Sequence, residues 1–229
     1  MADAMGYWEP RTALMSRTVF FRILIFNFLI ISCNESDSLP YYNSPDFNPL
    51  FLTQKEAEKK IDHKIDSFVF KNQNGQEIGL KDLIGKIHVA NFMFTQCASI
   101  CPIMTNNFKY LEERYEKNDN LVMLSFSVTP WVDSVSKLKS YTQDYEIKKK
   151  NWHFLTGKTS EIYALARTSY FAEENLGFTK DSTDFLHTEH VLLIDQSLRI
   201  RGIYNGTLPL EIKQLSNDIQ ILMSKKSGK

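Results

Sequence analysis

Residues 92–102 read F-M-F-T-Q-C-A-S-I-C-P and carry two of the chain's three cysteines, Cys97 and Cys101, with three residues between them. An apolar run over 87–94 leads into the pair and an amphipathic run over 103–115 leads out. That order is strand, thiol loop, helix. Pro102 suits a first helical turn, because its φ is already set and its missing N–H has no partner to lose. Cys101 is then expected at the helix N-terminus, where unpaired N–H groups and the macrodipole favour a thiolate and lower its pKa. Such a thiol is a nucleophile, a redox centre or a soft-metal ligand.

The rest of the chain narrows those choices. Three cysteines in 229 residues are too few for a disulfide scaffold, and a formal net charge of zero lacks the basic excess of a nucleic-acid binder. Residues 1–32 read as a targeting segment. Arg11, Arg17 and Arg22 make the front positive, residues 19–31 are almost wholly apolar, and Ser32 precedes Cys33. A small residue followed by cysteine resembles a bacterial lipobox, which makes Cys33 the lipidated mature N-terminus. Met15 can serve as the start as well as Met1. The alternatives are an uncleaved anchor or a plain signal, although the apolar stretch is short of the roughly 20 residues a span needs. Each places the folded part on the outer, periplasmic side of a membrane in the cell envelope. Residues 33–62, with three prolines and many polar residues, read as a tether, and 63–229 as the folded domain.

Within that domain, Phe68, Phe70, Ile78 and Leu80 alternate around Asn74-Gly75, a hairpin signal. Buried strands are expected over 87–94 and 121–128, and a short one over 152–155. Helices are expected after Cys101, after Asp133 or Ser134, and after Thr159 or Ser160. Residues 170–184 read as a polar surface insertion. A second hairpin joins 191–194 to 198–203 around Asp195-Gln196-Ser197, and a helix over 210–223 closes the chain. Strands alternating with helices, then a terminal hairpin and helix, describe an α/β chain with a central mixed sheet, helices on both faces and an N-terminal β-hairpin. The paired-cysteine loop after the first core strand makes this a thioredoxin-like fold.

A C-x-x-C pair on such a fold is a redox dithiol. One extra residue widens this loop, yet the sulfurs can still form a disulfide or pinch one metal ion. Two thiolates select Cu(I), with zinc as the usual competitor, and a copper site wants a further ligand. Of the five histidines, His63 sits in the charge-rich linker stretch at the domain's start, and His88 and His153 read as packed or edge residues in strands. His187 and His190 lie in and just after the loop feeding the strand over 191–194, which is expected beside the thiol-bearing strand.

Cys-x-x-x-Cys-Pro after an apolar strand, with a distant histidine before another, resembles the Sco/SenC family of copper-binding proteins. Ser125-Phe126-Ser127-Val128-Thr129-Pro130 with Asp133-Ser134 is similar to the family's S-x-x-V-x-P-x-x-D-[ST] stretch. Trp152 to Gly157 matches W-x-x-L-T-G, and Arg199 to Gly206 the second hairpin strand. The resemblance covers roughly residues 64–224. It implies a membrane-tethered, thioredoxin-like protein that serves assembly of the binuclear copper site of cytochrome c oxidase. It implies a copper ion held by Cys97, Cys101 and His187, with His187 preferred to His190 because Thr188 follows it in the family's register. Ala98 stands where a proline often follows the first cysteine, and Leu186 where an acidic residue often precedes the histidine.

Three functions compete. The first is a copper chaperone, whose partner is the copper-site subunit of cytochrome c oxidase or another copper client. The second is a thiol–disulfide oxidoreductase in which Cys97 and Cys101 are the catalytic pair and Cys97 attacks first. The third is a peroxidase-like enzyme, which wants an arginine beside one essential cysteine, and none stands close to Cys97 in the sequence. The chaperone is the leading expectation.

Overall fold

A computed structural model describes residues 38–148, 150–172 and 188–224. Among the described residues, seven strands form one sheet: β1 (Val69–Asn72), β2 (Glu77–Gly79), β3 (Ile87–Met93), β4 (Leu121–Ser127), β5 (Trp152–Thr156), β6 (His190–Ile194) and β7 (Ile200–Asn205). Their order is β2-β1-β5-β4-β3-β6-β7. β3, β4 and β5 run parallel, and the hairpins β1–β2 and β6–β7 flank them antiparallel. The helices are α1 (Gln54–Lys60), α2 (Ile100–Arg114), α3 (Val135–Asp144), α4 (Thr159–Thr168) and α5 (Pro209–Ser224).

β3 and β4 are buried at every position, as expected of strands covered on both faces. Ile87, Val89 and Met93 of β3 face a core shared with Met104, Phe108 and Leu111 of α2, Leu138 of α3 and Leu215 and Ile219 of α5. Ala90 and Phe92 face the other core, with Ile162 and Leu165 of α4 and Phe68 and Phe70 of the first hairpin region. The parallel run places the C-terminal ends of β3, β4 and β5 together. Antiparallel pairing brings the start of β6 and the end of β7 to that same end of the sheet.

Several expectations changed in detail. The first hairpin turns over four residues, because Asn72 Oδ1 accepts from the N–H groups of Asn74 and Gln76 while Gly75, at φ +75°, closes the loop. Ser134 caps α3 through the Lys137 N–H, whereas α4 begins after Lys158 with no side-chain cap. Tyr170, Phe171 and Ala172 are buried in the α4-side core and so are no surface insertion; the remainder of that segment lies outside the described residues.

The structure also departs from a tether over 33–62. From Ser38 onward the chain belongs to the same compact unit as the sheet. Tyr42 N–H donates to Ile200 O at 3.1 Å, and α1 follows a Thr53–Glu56 capping box. The clamp is Arg201, 5% exposed, which donates to Pro40 O and Leu39 O, pairs with Asp195 Oδ2 at 3.1 Å and lies over the Tyr41 ring. Removing one partner of such a buried pair costs about 3–5 kcal/mol, because the other charge stays buried.

His88 lies fully buried in β3, with Nε2 3.1 Å from Tyr170 Oη, and burial pushes its pKa down to about 3. Burial likewise pushes His153 in β5 down to about 4. Both are neutral in the folded chain and gain protons more readily when it unfolds. Their contribution is therefore intact above the ordinary value of 6.5 and is lost as pH falls towards 3–4. Urea unfolding should show stability falling through this window, by up to about 1.4 kcal/mol per pH unit for each proton. His88→Phe should flatten the slope by about one proton, and an unchanged slope would contradict the assignment.

Candidate metal and dithiol site

The thiol loop occupies the C-terminal end of β3. Cys97 N–H donates to Phe94 O at 3.3 Å, which curls the loop back before α2 begins. The helix starts at Ile100, so Cys101 is its second residue and Pro102 its third, still within the first turn. Pro102 still loses no bond there, since the first four helical N–H groups have no intrahelical acceptor. Ser99 at the N-cap makes no side-chain cap bond. Cys97 Sγ takes that place and accepts the Cys101 N–H at 3.4 Å.

This reverses the electrostatics expected from the sequence. Burial alone would raise the Cys97 thiol, but the N–H groups of Cys101, Ser99 and Ile100, with the Cys101 thiol, outweigh it and hold Cys97 below its ordinary 9.0. Cys101 points inward instead. Burial pushes it up to about 12 despite the Phe94 N–H aimed at it, and the Cys97 sulfur and Asp133 carboxylate add repulsion. Cys97 is 8% exposed and Cys101 3%, and both are free thiols. The outer sulfur is the acidic one and the inner sulfur holds its proton.

Asp133 is the group that sequence reasoning undervalued, as a candidate helix cap. Its carboxylate is fully buried and gathers the Thr95 N–H at 3.2 Å, Thr95 Oγ1 at 2.6 Å, Ser127 Oγ at 2.6 Å and Thr129 Oγ1 at 3.1 Å. It thus ties the thiol loop to the end of β4. Its position in the S-x-x-V-x-P-x-x-D stretch was the available signal. On the inner side, Thr105 of α2 bonds Tyr141 Oη at 2.8 Å, and burial raises the Tyr141 phenol above its ordinary range.

The histidines divide as their strands dictate. His63 Nε2 donates to Ser169 O at 2.8 Å, its ring stacked on Phe171. His88 and His153 sit within strands, away from the thiol loop. His190 begins β6, opposite Asn205. His187 lies outside the described residues, as does Cys33. Thr188 is buried, and its Oγ1 accepts the His190 N–H at 3.1 Å, so the described chain re-enters at the thiol end of the sheet. Among the described residues, no three of the side chains His, Cys, Asp and Glu gather as a metal site, and no helix is long and apolar enough to cross a membrane.

A mixed sheet with helices on both faces and a dithiol at the strand–helix junction defines a thioredoxin-like domain. The SCO1/SenC family model matches residues 56–224, and the chain belongs to that family. It is similar to a SCO1/SenC family lipoprotein from Bacillus anthracis at 30% identity and TM-score 0.61, over 71% of this chain and 96% of that one. It is also similar to BsSco, described as a Sco-family cytochrome c oxidase assembly protein with a disulfide switch, at 28% identity and TM-score 0.59, over 72% and 95% of the two chains. Copper-bound ScoI of Bradyrhizobium japonicum shares the fold at 23% identity and TM-score 0.52, over 69% and 98%.

The asymmetry of the pair has a direct readout. Alkylation by iodoacetamide should titrate Cys97 below the ordinary thiol range and leave Cys101 largely unmodified at pH 9. Cys101→Ser should stay fast and Cys97→Ser become slow at neutral pH. Equal rates for the two variants would contradict the arrangement.

Proposed function

We propose that this domain binds copper through Cys97, Cys101 and His187 and delivers it during assembly of the copper site of cytochrome c oxidase. The observation that carries the reading is the Cys97–Cys101 pair at the start of α2, beside the end of the sheet where the chain returns at Thr188. Two sulfurs and an imidazole suit Cu(I), for which soft donors are preferred, while Cu(II) would want a further oxygen ligand. Family membership and the copper-bound relative support copper as the cargo. Release to a client proceeds by ligand exchange, and Cys97 is the ligand nearer the solvent.

A second reading rests on the acid–base difference between the thiols. The Cys97 thiolate attacks a client disulfide, forming a mixed disulfide and releasing one client thiolate. Cys101 then gives up its proton and attacks the Cys97 sulfur. The second client thiolate leaves, and the domain holds a Cys97–Cys101 disulfide. The client gains both electrons. The disulfide switch described for the similar BsSco supports this reading. Both can belong to one protein.

His187→Ala separates them. Copper retained after chelation should fall by at least about tenfold, the loss expected when a ligand is removed, while reduction of a test disulfide survives. Unchanged copper stoichiometry would overturn the ligand assignment. The cell-envelope location follows the proposed lipid on Cys33, which the Bacillus anthracis lipoprotein supports. Cys33→Ser should move the protein from the membrane to the soluble fraction, and retention of the variant in membranes would contradict lipidation at that residue.

A further inference from the structure

Two arginines of the second hairpin differ in what they meet. Arg201 has a full set of partners in Leu39 O, Pro40 O, Asp195 Oδ2 and the Tyr41 ring. Arg199, two residues earlier and 7% exposed, stands without one for its guanidinium. Its Nε makes no hydrogen bond, and among the described residues the side chain enters no ion pair. A charge taken out of water without a counter-charge is strongly unfavourable, so a guanidinium this buried calls for an anion.

The turn between β6 and β7 cannot supply that anion. Asp195 is the only acid over 195–199, and both of its oxygens are engaged. Oδ1 accepts the Ser197 and Arg199 N–H groups at 2.9 and 3.1 Å, and Oδ2 pairs with Arg201. Leu198 N–H donates to Asp195 O and Asp195 N–H to Arg199 O, so the turn is held in one shape with Leu198 in the left-handed region at φ +66°. The segments fastened to the turn bring further positive charge. Ile65 N–H donates to Leu198 O, which sets the exposed Lys64 beside the turn. Gly85 N–H donates to Gln196 O, which does the same for the partly buried Lys86. Of the acids in those two segments, Asp66 accepts from Ser169 Oγ and Asp82 from the Gly79 N–H, and neither they nor Asp62 pairs with Arg199.

We infer that Arg199, flanked by Lys64 and Lys86, is a phosphate site whose ligand is the headgroup of an anionic phospholipid. A planar guanidinium fork suits two oxygens of a phosphate, and the lysines suit the negative surface of a bilayer. The neighbouring strap favours a lipid as the source. β7 begins where the N-terminal chain docks: Tyr42 N–H donates to Ile200 O, and Arg201 grips Leu39 and Pro40. Ser38 follows Cys33 by five residues, a reach of at most roughly 18 Å. For its occupant the inference therefore rests on the lipidation of Cys33 proposed above. The turn follows Ile194, which pairs with His88 at the start of β3, so this is the end of the sheet opposite the thiols. Contact with the bilayer here leaves the thiol end turned away from the lipid.

Residues 38–229 contain the whole sheet, its cores and the strap, so they can be tested without the anchor. Vesicles rich in phosphatidylglycerol should sediment this domain, and vesicles of phosphatidylcholine alone should not. Arg199→Gln should weaken vesicle binding at least about tenfold, as for loss of a charge-assisted contact. Arg199→Lys should weaken it less, since the charge stays and the fork is lost. Without lipid, Arg199→Gln should melt no lower than wild type, because it removes a buried charge that has no partner. Vesicle binding that Arg199→Gln leaves unchanged, or a variant that melts well below wild type, would overturn the site. Inorganic phosphate is the remaining arm, read by the NMR signal of the Arg199 Nε–H. A shift with phosphate while vesicles leave the domain in solution would make this a site for free anions and overturn the lipid assignment. No response to either probe would overturn both. Lipidation is read separately by fractionating Cys33→Ser, so its failure is distinguishable from failure of the phosphate site.

Discussion

β3 pairs with β4 on one side and β6 on the other, and this double pairing is the constraint from which the site follows. The parallel partner brings the β4 exit, with Asp133, beside the thiol loop. The antiparallel partner starts where β3 ends, so the segment entering β6 arrives at the same place. What sets β3 apart is that one neighbour is parallel and the other antiparallel, so an exit and an entry meet at its C-terminal end. Burial of all seven β3 residues fixes its register, since a slip by one residue would exchange the two core faces.

At that junction the helix terminus and the core act on different sulfurs. The N–H groups of the first turn of α2 converge on Cys97, while the core surrounds Cys101. A helix N-terminus stabilises a thiolate only where the sulfur meets its N–H groups, and for an inward-pointing residue desolvation wins. The same division serves both proposed chemistries. A dithiol needs one sulfur that attacks and one held in reserve, and a transfer site needs one ligand near solvent and one fixed in the protein.

Much of this was legible from the residues. Apolar density marked β3 and β4, the Cys-x-x-x-Cys-Pro loop located the site, and alternation, caps and turn residues gave the order of the remaining elements. What escaped depends on contacts between distant parts of the chain. Residues 38–42 look like linker because their anchor, Arg201, is 161 positions beyond Pro40. Tyr170 and Phe171 follow a helix in a stretch of polar composition, and only the aromatic cluster with Phe92, Phe126 and Phe47 makes them core. The acidity of the thiols turned on which sulfur meets the first N–H groups of α2 and which is buried, a matter of side-chain placement that propensity does not set. Asp133 could be read as a cap because its true partners come from Thr95 and the β4 exit.

The central claim is that two sulfurs and one imidazole share a single copper ion. X-ray absorption at the copper edge of the reduced, copper-loaded domain tests it most directly. The account predicts two sulfur neighbours and one imidazole nitrogen around copper, with the nitrogen shell lost in His187→Ala. A first shell of sulfur alone, or an imidazole that survives that substitution, would contradict it.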